Sequence, residues 1–357
     1  MALLFWDSFD HYATANVFQK YINQFGGAGS GYAIGAYGRF STNGLRIWPF
    51  STDACALRGP IKGYPQTVTV GFAPYLEQNV GTGAREILTL MDGAVDQVAL
   101  SVLDTGALRV YRGGWEGTTL ATSAAGVIAA TRWYYIELQT TIDNAAGSVE
   151  VHVTDDAGTE TTVIDIAGVD TQESGTAQVS MFELCGDGNN NGFFYIRYDD
   201  LYVLDDAGAQ CNDFLQDTRI CCLSSEGPGA HADWTPLVGP ANWQDVNEIP
   251  PDDDTTYNYT LTPTDRDSFE MEDLPVTAVG PVQAVCAVVD YRKDDAGTRT
   301  IQPSVRTGGF DYDGDNRNSP NDYAFHTMYA WEVNPNTLAV WSRAEVNAVE
   351  AGYELVA

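Results

Sequence analysis

The feature that most restricts the fold is a series of short strand-like stretches between Gln66 and Ile166, separated by turn residues. In "SVEVHVT", Val149, Val151 and Val153 alternate with polar residues, which is the period of a strand with one dry and one wet face. Most stretches end in an Asp/Asn-Gly type of turn. Because the strands follow one another without a long helix between them, the pattern predicts two antiparallel sheets packed face to face.

The tetrapeptide "DDAG" recurs at residues 155–158, 205–208 and 294–297. Asp accepts local backbone hydrogen bonds at the start of a turn, and Gly adopts the left-handed conformation at its end. The repeat is therefore interpreted as turn chemistry, which requires no ligand.

The fold class predicted from these patterns is all-β. The chain has 357 residues, which at about 150 residues per domain favours two domains. We predict an antiparallel β-sandwich over residues 1–206, an irregular interdomain strap over 207–254, and a second β-rich domain with one short C-terminal helix over 255–357. The strap is rich in Pro, Gly and Trp, and its tryptophans need burial, which argues against a free linker.

Three local predictions concern the chain after residue 206. The segment "DFLQDTRICCL", residues 213–223, has the composition of a strand. The segment "PVQAVCAVVDYRKDDAG" is predicted to contain a strand buried on both faces, because Val285, Cys286, Val288 and Val289 leave no polar side. The helix is predicted from "SRAEVNAVEAG", in which Ser342 and Glu345 have capping-box spacing and Gly352 follows the last turn.

The chain is strongly acidic, with a formal net charge of −31 at pH 7. Nucleic-acid backbones and anionic membrane surfaces would be repelled, and no Lys/Arg cluster offers a local exception. Neither nucleic acid nor a membrane is therefore a predicted partner. The start, "MALLFWDSFDHY", has no basic segment, and Asp7 and Asp10 interrupt its apolar part, so we predict no secretory leader.

The stretch "FFYIRYDDLYVLDD", residues 193–206, places two carboxylate pairs inside a strand-like run. Adjacent strand residues point to opposite faces, so Asp199 and Asp200 are not expected to act as one acid/base pair. We expect one of them to point inward and accept backbone N–H groups from a neighbouring loop. A calcium ligand and a catalytic carboxylate are the alternatives. Asp205 and Asp206 belong to the second "DDAG" turn.

The best metal candidate is "DYDGDNRN", where Asp311, Asp313 and Asp315 occupy alternate positions, as in an oxygen-rich calcium loop. It departs from the EF-hand pattern, because Gly314 is fourth rather than sixth and no Glu closes the loop. A solvated loop is the preferred interpretation, and we predict no metal and no cofactor.

Other motifs give little support for catalysis. The four histidines, at positions 11, 152, 231 and 326, lack metal-ligand spacing, and no serine lies in a G-x-S-x-G motif. The segment "GDGNNNG", residues 186–192, lacks the third Gly of G-x-G-x-x-G and leads into a strand, so it is interpreted as a plain loop. We therefore predict no catalytic residue.

Trp115, in "RGGWEGT", lies at a predicted hairpin tip. An exposed ring there could stack on a sugar, although a loop tryptophan more often packs against its own domain. Both interpretations stay open at the level of sequence.

The opening "FWDSFDHY", the meander that follows and the closing "FFYIRYDDLYVLDDAG" together resemble a concanavalin A-like lectin/glucanase sandwich, the laminin-G type of jelly roll. The resemblance covers about residues 1–206 and implies that the first and last strands lie side by side. Glucanases of this superfamily carry E-x-D-x-E-type carboxylates on one strand face. Both "VEVHVTDD" and "FELCGDG" depart from that pattern, which argues against a hydrolase.

The continuation, including "DWTP", "NWQDVNEIPPDDDTTY", "YRKDDAGTRTIQPSVRTGG" and "VWSRAEVNAVEAG", resembles tailed-bacteriophage virion proteins that join such a sandwich to a second β domain. This resemblance implies a virion component assembled in the host cytoplasm.

From the resemblance and the acidic surface we expect a non-enzymatic protein on the particle exterior, either tail-associated or decorating the head. Its expected partners are other virion proteins and further copies of itself. The alternative is a carbohydrate-binding module that contacts host glycan, and a glycan hydrolase is the third hypothesis.

Overall fold

The structure is a computed structural model that describes residues 3–26, 31–48, 55–115, 117–184, 194–208 and 210–357. Internal contacts divide the chain into two compact units. The first comprises Met1–Phe9 and Ala13–Ile220, and the second comprises Asp10–Tyr12 and Cys221–Ala357. The division at residues 220 and 221 falls inside the segment assigned to a strap from sequence.

The first unit is built from two antiparallel sheets. Sheet A has the strand order β13-β12-β11-β6-β15-β4-β3, with β1 also paired to β15. Its strands are β1 (Leu3–Asp7), β3 (Gly31–Gly35), β4 (Gly44–Trp48), β6 (Thr67–Leu76), β11 (Tyr135–Thr141), β12 (Gly147–Thr154), β13 (Glu160–Val169) and β15 (Ile196–Asp205).

Sheet B has the order β10-β9-β8-β7-β14-β5-β2. Two short 3-10 helices, Thr14–Gln19 and Arg39–Ser41, lie between strands of the first unit. The strands of sheet B are β2 (Asn23–Gly26), β5 (Cys55–Pro60), β7 (Ala84–Asp92), β8 (Val95–Leu103), β9 (Leu108–Arg112), β10 (Thr118–Thr122) and β14 (Met181–Leu184).

The core lies between the two sheets. The ring of Phe5 in sheet A and the ring of Phe182 in sheet B meet edge to face, with centroids 4.9 Å apart. The predicted alternation of β12 is confirmed, because Val149, Val151 and Val153 are all buried. The predicted sandwich and the pairing of the first strand with the closing strand are likewise confirmed.

The second unit is also β-rich. Its main sheet, sheet C, has the order β16-β19-β25-β21-β22, with β23 paired to β21, and two-stranded sheets are formed by β17 with β18 and by β20 with β24. Its strands are β16 (Ser225–Ala232), β17 (Thr235–Pro236), β18 (Asn258–Tyr259), β19 (Arg266–Met271), β20 (Val285–Tyr291), β21 (Thr300–Thr307), β22 (Phe310–Asp313), β23 (Arg317–Asn318), β24 (Ala324–Trp331) and β25 (Glu350–Leu355).

The C-terminal helix α1 spans Arg343–Val346 and has the predicted capping box, in which the Ser342 hydroxyl accepts the backbone N–H of Glu345. The predicted end at Gly352 is wrong. Gly352 lies inside β25, where an added Cβ would lie 2.0 Å from the carbonyl oxygen of Asp267. The close approach of two strands therefore explains this glycine.

Strand β20 differs from the sequence prediction of burial on both faces. It pairs with β24 alone in a two-stranded sheet, and most of its residues are half-buried. The all-β class is confirmed for the described part of the chain. No helix within those residues has the length and apolar character needed to cross a membrane.

Gly71 on β6 permits one of the tightest contacts in sheet A, because it lies opposite Tyr202 of β15 and Glu137 of β11. An added Cβ would lie 2.2 Å from the Tyr202 ring. We expect Gly71→Ala to lower the free energy of unfolding by about 1–3 kcal/mol, since the ring must shift within a packed face. Urea unfolding of the full chain, followed by tryptophan fluorescence, measures this.

Gly175→Ala is the matched control, because open space surrounds the position of its added Cβ. Its effect should stay within about 0.5 kcal/mol. Equal stability of the two variants would show that the Gly71 contact does not matter.

Candidate functional site

Asp199 on the closing strand is buried and holds a loop. Its Oδ2 accepts the backbone N–H of Arg39 at 2.6 Å, and its Oδ1 accepts the backbone N–H of Asp200 at 2.9 Å. The predicted role of an inward aspartate that accepts backbone N–H groups is therefore confirmed.

Asp200 is equally buried and has a similar role. Its Oδ1 accepts the backbone N–H of Ile220 at 2.7 Å, and its Oδ2 lies 3.4 Å from an Arg39 guanidinium nitrogen. Asp200 has φ of 51° at a shift in register between Asp199 and Tyr202, so a bulge interrupts the strand alternation. Burial raises the pKa of Asp200 to about 7, while the Arg39 charge opposes the rise. Both carboxylates thus have structural partners.

The second carboxylate pair belongs to a turn, as predicted. Asp205 Oδ1 accepts the backbone N–H of Ala207 at 3.0 Å, and Asp206 is exposed. The equivalent turn at 155–158 has Asp155 accepting two backbone N–H groups, and its Gly158 has φ of 77°.

Residues 211–220 belong to the predicted strap, 207–254, and to the first unit, and we call them the strap segment. Side chains attach the strap segment to sheet A. Glu137 Oε1 accepts the backbone N–H groups of Leu215 at 2.7 Å and Gln216 at 2.9 Å, and also the Tyr202 hydroxyl. Burial raises the pKa of Glu137, and these hydrogen bonds oppose the rise. The strand predicted over 213–223 is wrong, because part of this backbone bonds to carboxylates rather than to a neighbouring strand.

Each of the three aspartates of the predicted calcium loop pairs with a different arginine. Asp311 pairs with Arg306 and His231, each at 3.0 Å. Asp313 lies 2.9 Å from an Arg266 nitrogen, and Asp315 lies 3.4 Å from Arg317. The interpretation of this stretch as a solvated loop is wrong for Asp311 and Asp313, which lie on strand β22 paired with β21, and the absence of a metal stays a prediction. The "GDGNNNG" segment lies outside the described residues.

One group of possible metal ligands was missed from sequence. Glu137, His152 and Glu160 each offer a ligand atom, and these atoms lie within 4.8 Å of one another. The residues come from three adjacent strands of sheet A, so spacing along the chain does not reveal the group. To find this group from sequence, one would have had to predict how strands β11, β12 and β13 pair with one another.

Asp290 is a second carboxylate that sequence reasoning missed. It lies on β20 in the second unit, and burial, together with the nearby Asp253 carboxylate, raises its pKa to about 7. The segment was interpreted as a purely apolar strand. The raised pKa of Asp290 thus has a local cause in burial and in the one neighbouring carboxylate, Asp253.

The outer face of sheet B carries a row of side chains across five strands. Phe182 points to the core, so the adjacent Glu183 lies on the outer face. Glu183 pairs with Arg58 at 2.5 Å. Cross-strand register places in this row Arg58, Glu183, Thr89, Ala99 and Tyr111.

Trp115 lies in the turn between β9 and β10, as predicted, and is half-buried. Its ring meets that of Tyr111 edge to face, with centroids 6.4 Å apart. The guanidinium carbon of Arg109 lies 5.9 Å from the Tyr111 ring centroid, and Arg109 Nε donates to the Thr122 hydroxyl at 2.9 Å. The hairpin therefore combines two aromatic rings with a cation and a hydroxyl.

No protein-family model matches this sequence, and no curated protein matches it. Several solved structures of concanavalin A-like lectin, glucanase and lyase sandwiches are similar to it. One is the cellulose-induced protein Cip1, with a TM-score of 0.38, 12% identity, and coverage of 54% of this chain and 88% of that chain.

Two more are lectin II from Ulex europaeus and a GH131 β-glucanase catalytic domain from Podospora anserina. The lectin has a TM-score of 0.35 and 12% identity, and the match covers 52% of this chain and 96% of the lectin. The glucanase has a TM-score of 0.35 and 16% identity, with coverage of 56% and 95%. At these TM-scores the similarities carry no conclusion about ligand or activity.

Asp199→Asn tests the structural role of the closing-strand carboxylate. The amide retains one acceptor oxygen and places an NH₂ group against a backbone N–H donor. We expect a loss of about 1–3 kcal/mol in the free energy of unfolding, because a buried donor loses its partner. Chemical denaturation of the full chain measures it.

Asp206→Asn, in the exposed turn, is the control and should change stability by less than about 0.5 kcal/mol. Equal stability of Asp199→Asn and Asp206→Asn would show that the buried hydrogen bond from Arg39 to Asp199 does not stabilise the Arg39 loop.

Proposed function

We propose that the sandwich is a non-catalytic glycan-binding module whose contact surface is the β9–β10 hairpin of sheet B. The observation that supports this proposal is the half-buried Trp115, whose ring contacts Tyr111, the same ring that Arg109 approaches. The proposal favours the carbohydrate-binding alternative of the sequence analysis over the purely structural function.

The chemistry of the hairpin suits a sugar. A pyranose ring presents C–H groups on its faces and hydroxyls around its edge, so it needs an apolar plate beside hydrogen-bonding groups. The half-buried Trp115 ring offers the plate, and the buried Tyr111 ring supports it edge to face. Arg109 and Thr122 offer a donor and a hydroxyl on the same hairpin. Contact between Trp115 and Tyr111 also limits the rotamer freedom that binding would otherwise cost.

Carboxylates on both sheets of the first unit have structural partners, which supports binding without catalysis. Glu183 lies in the sheet B row that ends at Tyr111 of the hairpin, and it pairs with Arg58 at 2.5 Å. Asp199 and Asp200 hold backbone of other segments. A glycosidase needs one acidic group that gives a proton and a second that acts as base or nucleophile.

Trp115→Ala should abolish binding to whichever glycan the wild-type chain retains on a glycan array, because the aromatic plate is removed. The matched control is Trp133→Ala. Trp133 is also half-buried and packs on a tyrosine, Tyr75, with ring centroids 5.2 Å apart, but it lies at sheet A.

Retained binding in the Trp133 variant together with loss in the Trp115 variant supports the proposal. A wild-type chain that binds no glycan on the array, or equal loss in both variants, contradicts it. Release of reducing sugar from a bound glycan would contradict the non-catalytic part alone.

The second candidate function is the virion component of the sequence analysis, acting through contacts with further copies of this chain. It is favoured by an exposed apolar loop in the second unit, where Val276 and Val279 are each 90% exposed. Arg343 donates to the carbonyls of Leu274, Pro275 and Ala278 at 2.6–2.8 Å and fixes the loop. An apolar tip held in one conformation is suited to a protein interface.

A double variant, Val276→Ser with Val279→Ser, should convert an oligomeric wild-type chain to monomers, because the contact loses its apolar surface. Light scattering after size-exclusion chromatography measures the mass. Val95→Ser, at an exposed valine of the first unit, is the control and should leave the mass unchanged. A monomeric wild type contradicts self-assembly through this loop.

A further inference from the structure

The strongest unassigned cluster lies on the outer face of sheet A. Glu137 of β11 is directly opposite His152 of β12, and Glu160 begins the neighbouring β13. One ligand atom from each residue lies within 4.8 Å of the others. Strand register therefore brings one nitrogen and two carboxylate ligands together, whereas the sequence analysis predicted no metal.

The hydrogen bonding of His152 leaves one ring nitrogen beside the Glu160 carboxylate. Nε2 lies 2.8 Å from Glu150 Oε1 and 3.1 Å from the Thr162 hydroxyl, so an N–H on Nε2 has a partner. Nδ1 is buried, makes no hydrogen bond to any residue that the structure describes, and lies 3.2 Å from Glu160 Oε1. A lone pair facing a carboxylate at this distance is repulsive unless a proton or a cation lies between them.

The ligands are held in place by surrounding groups. The His152 ring stacks on Phe214 of the strap segment, with centroids 3.9 Å apart and planes 13° apart. Glu137 Oε1 accepts backbone N–H groups from Leu215 and Gln216, which fixes its carboxylate. Metal-binding histidines typically donate their second N–H to a carboxylate, as Nε2 of His152 can to Glu150.

We propose that Glu137, His152 and Glu160 bind one divalent transition-metal ion, with Zn²⁺ as the best fit. One imidazole and two carboxylates are ligands that Zn²⁺ accepts, and three protein ligands leave a position for water. Glu160 is the partly exposed member, with a side chain 34% accessible, and gives the ion a route from solvent. The site lies on the other sheet from the hairpin and is independent of glycan binding.

Isothermal titration of the full chain with ZnCl₂ should show one ion per chain. Glu160→Gln and His152→Gln should each weaken binding by at least about tenfold, because each removes a ligand. Co²⁺ in place of Zn²⁺ should give visible absorption in the wild type and not in these variants. Glu160→Gln is the main variant, since its side chain is the most exposed of the three ligands.

His231→Gln is the matched control, because the His231 ring also contacts a carboxylate, Asp311 at 3.0 Å, but in the second unit. It should leave the stoichiometry and affinity unchanged. The proposal is overturned if the wild type takes up no Zn²⁺, or if uptake is the same in the Glu160 and His152 variants. Nuclear magnetic resonance showing both ring nitrogens of His152 protonated in the presence of Zn²⁺ would equally overturn it.

Discussion

The buried carboxylates of sheet A are the constraint on which the first unit depends. A carboxylate removed from water costs several kcal/mol unless hydrogen bonds or an opposite charge compensate. Asp199, Asp200 and Glu137 are compensated by backbone N–H groups from segments distant in sequence. Each carboxylate therefore determines where a loop must lie. The strap segment has no regular secondary structure, and its course is determined by these hydrogen bonds to Glu137 and Asp200.

The same interactions link fold to possible function. Gly71 has no side chain, so Tyr202 extends across it and donates to Glu137, whose carboxylate in turn holds Leu215 and Gln216. The strap segment thereby places Phe214 on the His152 ring. A chain of contacts across sheet A thus orients the His152 imidazole and the Glu137 carboxylate, which is the kind of support that a metal site requires. The hairpin of sheet B is a separate surface with different chemistry.

The sequence allowed the strands of the sandwich to be predicted well, and β12 contains the whole alternating stretch "SVEVHVT". It also indicated the capping box of α1 and the turn role of Asp205. The strand predicted for residues 213–223 was wrong, because backbone N–H groups of this segment donate to the Glu137 and Asp200 carboxylates. Of the candidate sites, Trp115 was identified as a hairpin residue, but its contact with Tyr111 was not predicted.

The sequence by itself determined the period-two strands, the turns and the helix cap, because alternation, Asp-Gly turns and capping depend on residues a few positions apart. Only the tertiary structure decided which carboxylates are buried and what they hold. Arg39 and Asp199 are 160 residues apart, and Glu137 and Leu215 are 78 apart. Register and bulges bring such pairs together, as at Asp200, where a positive φ overrides the alternation that the sequence implied.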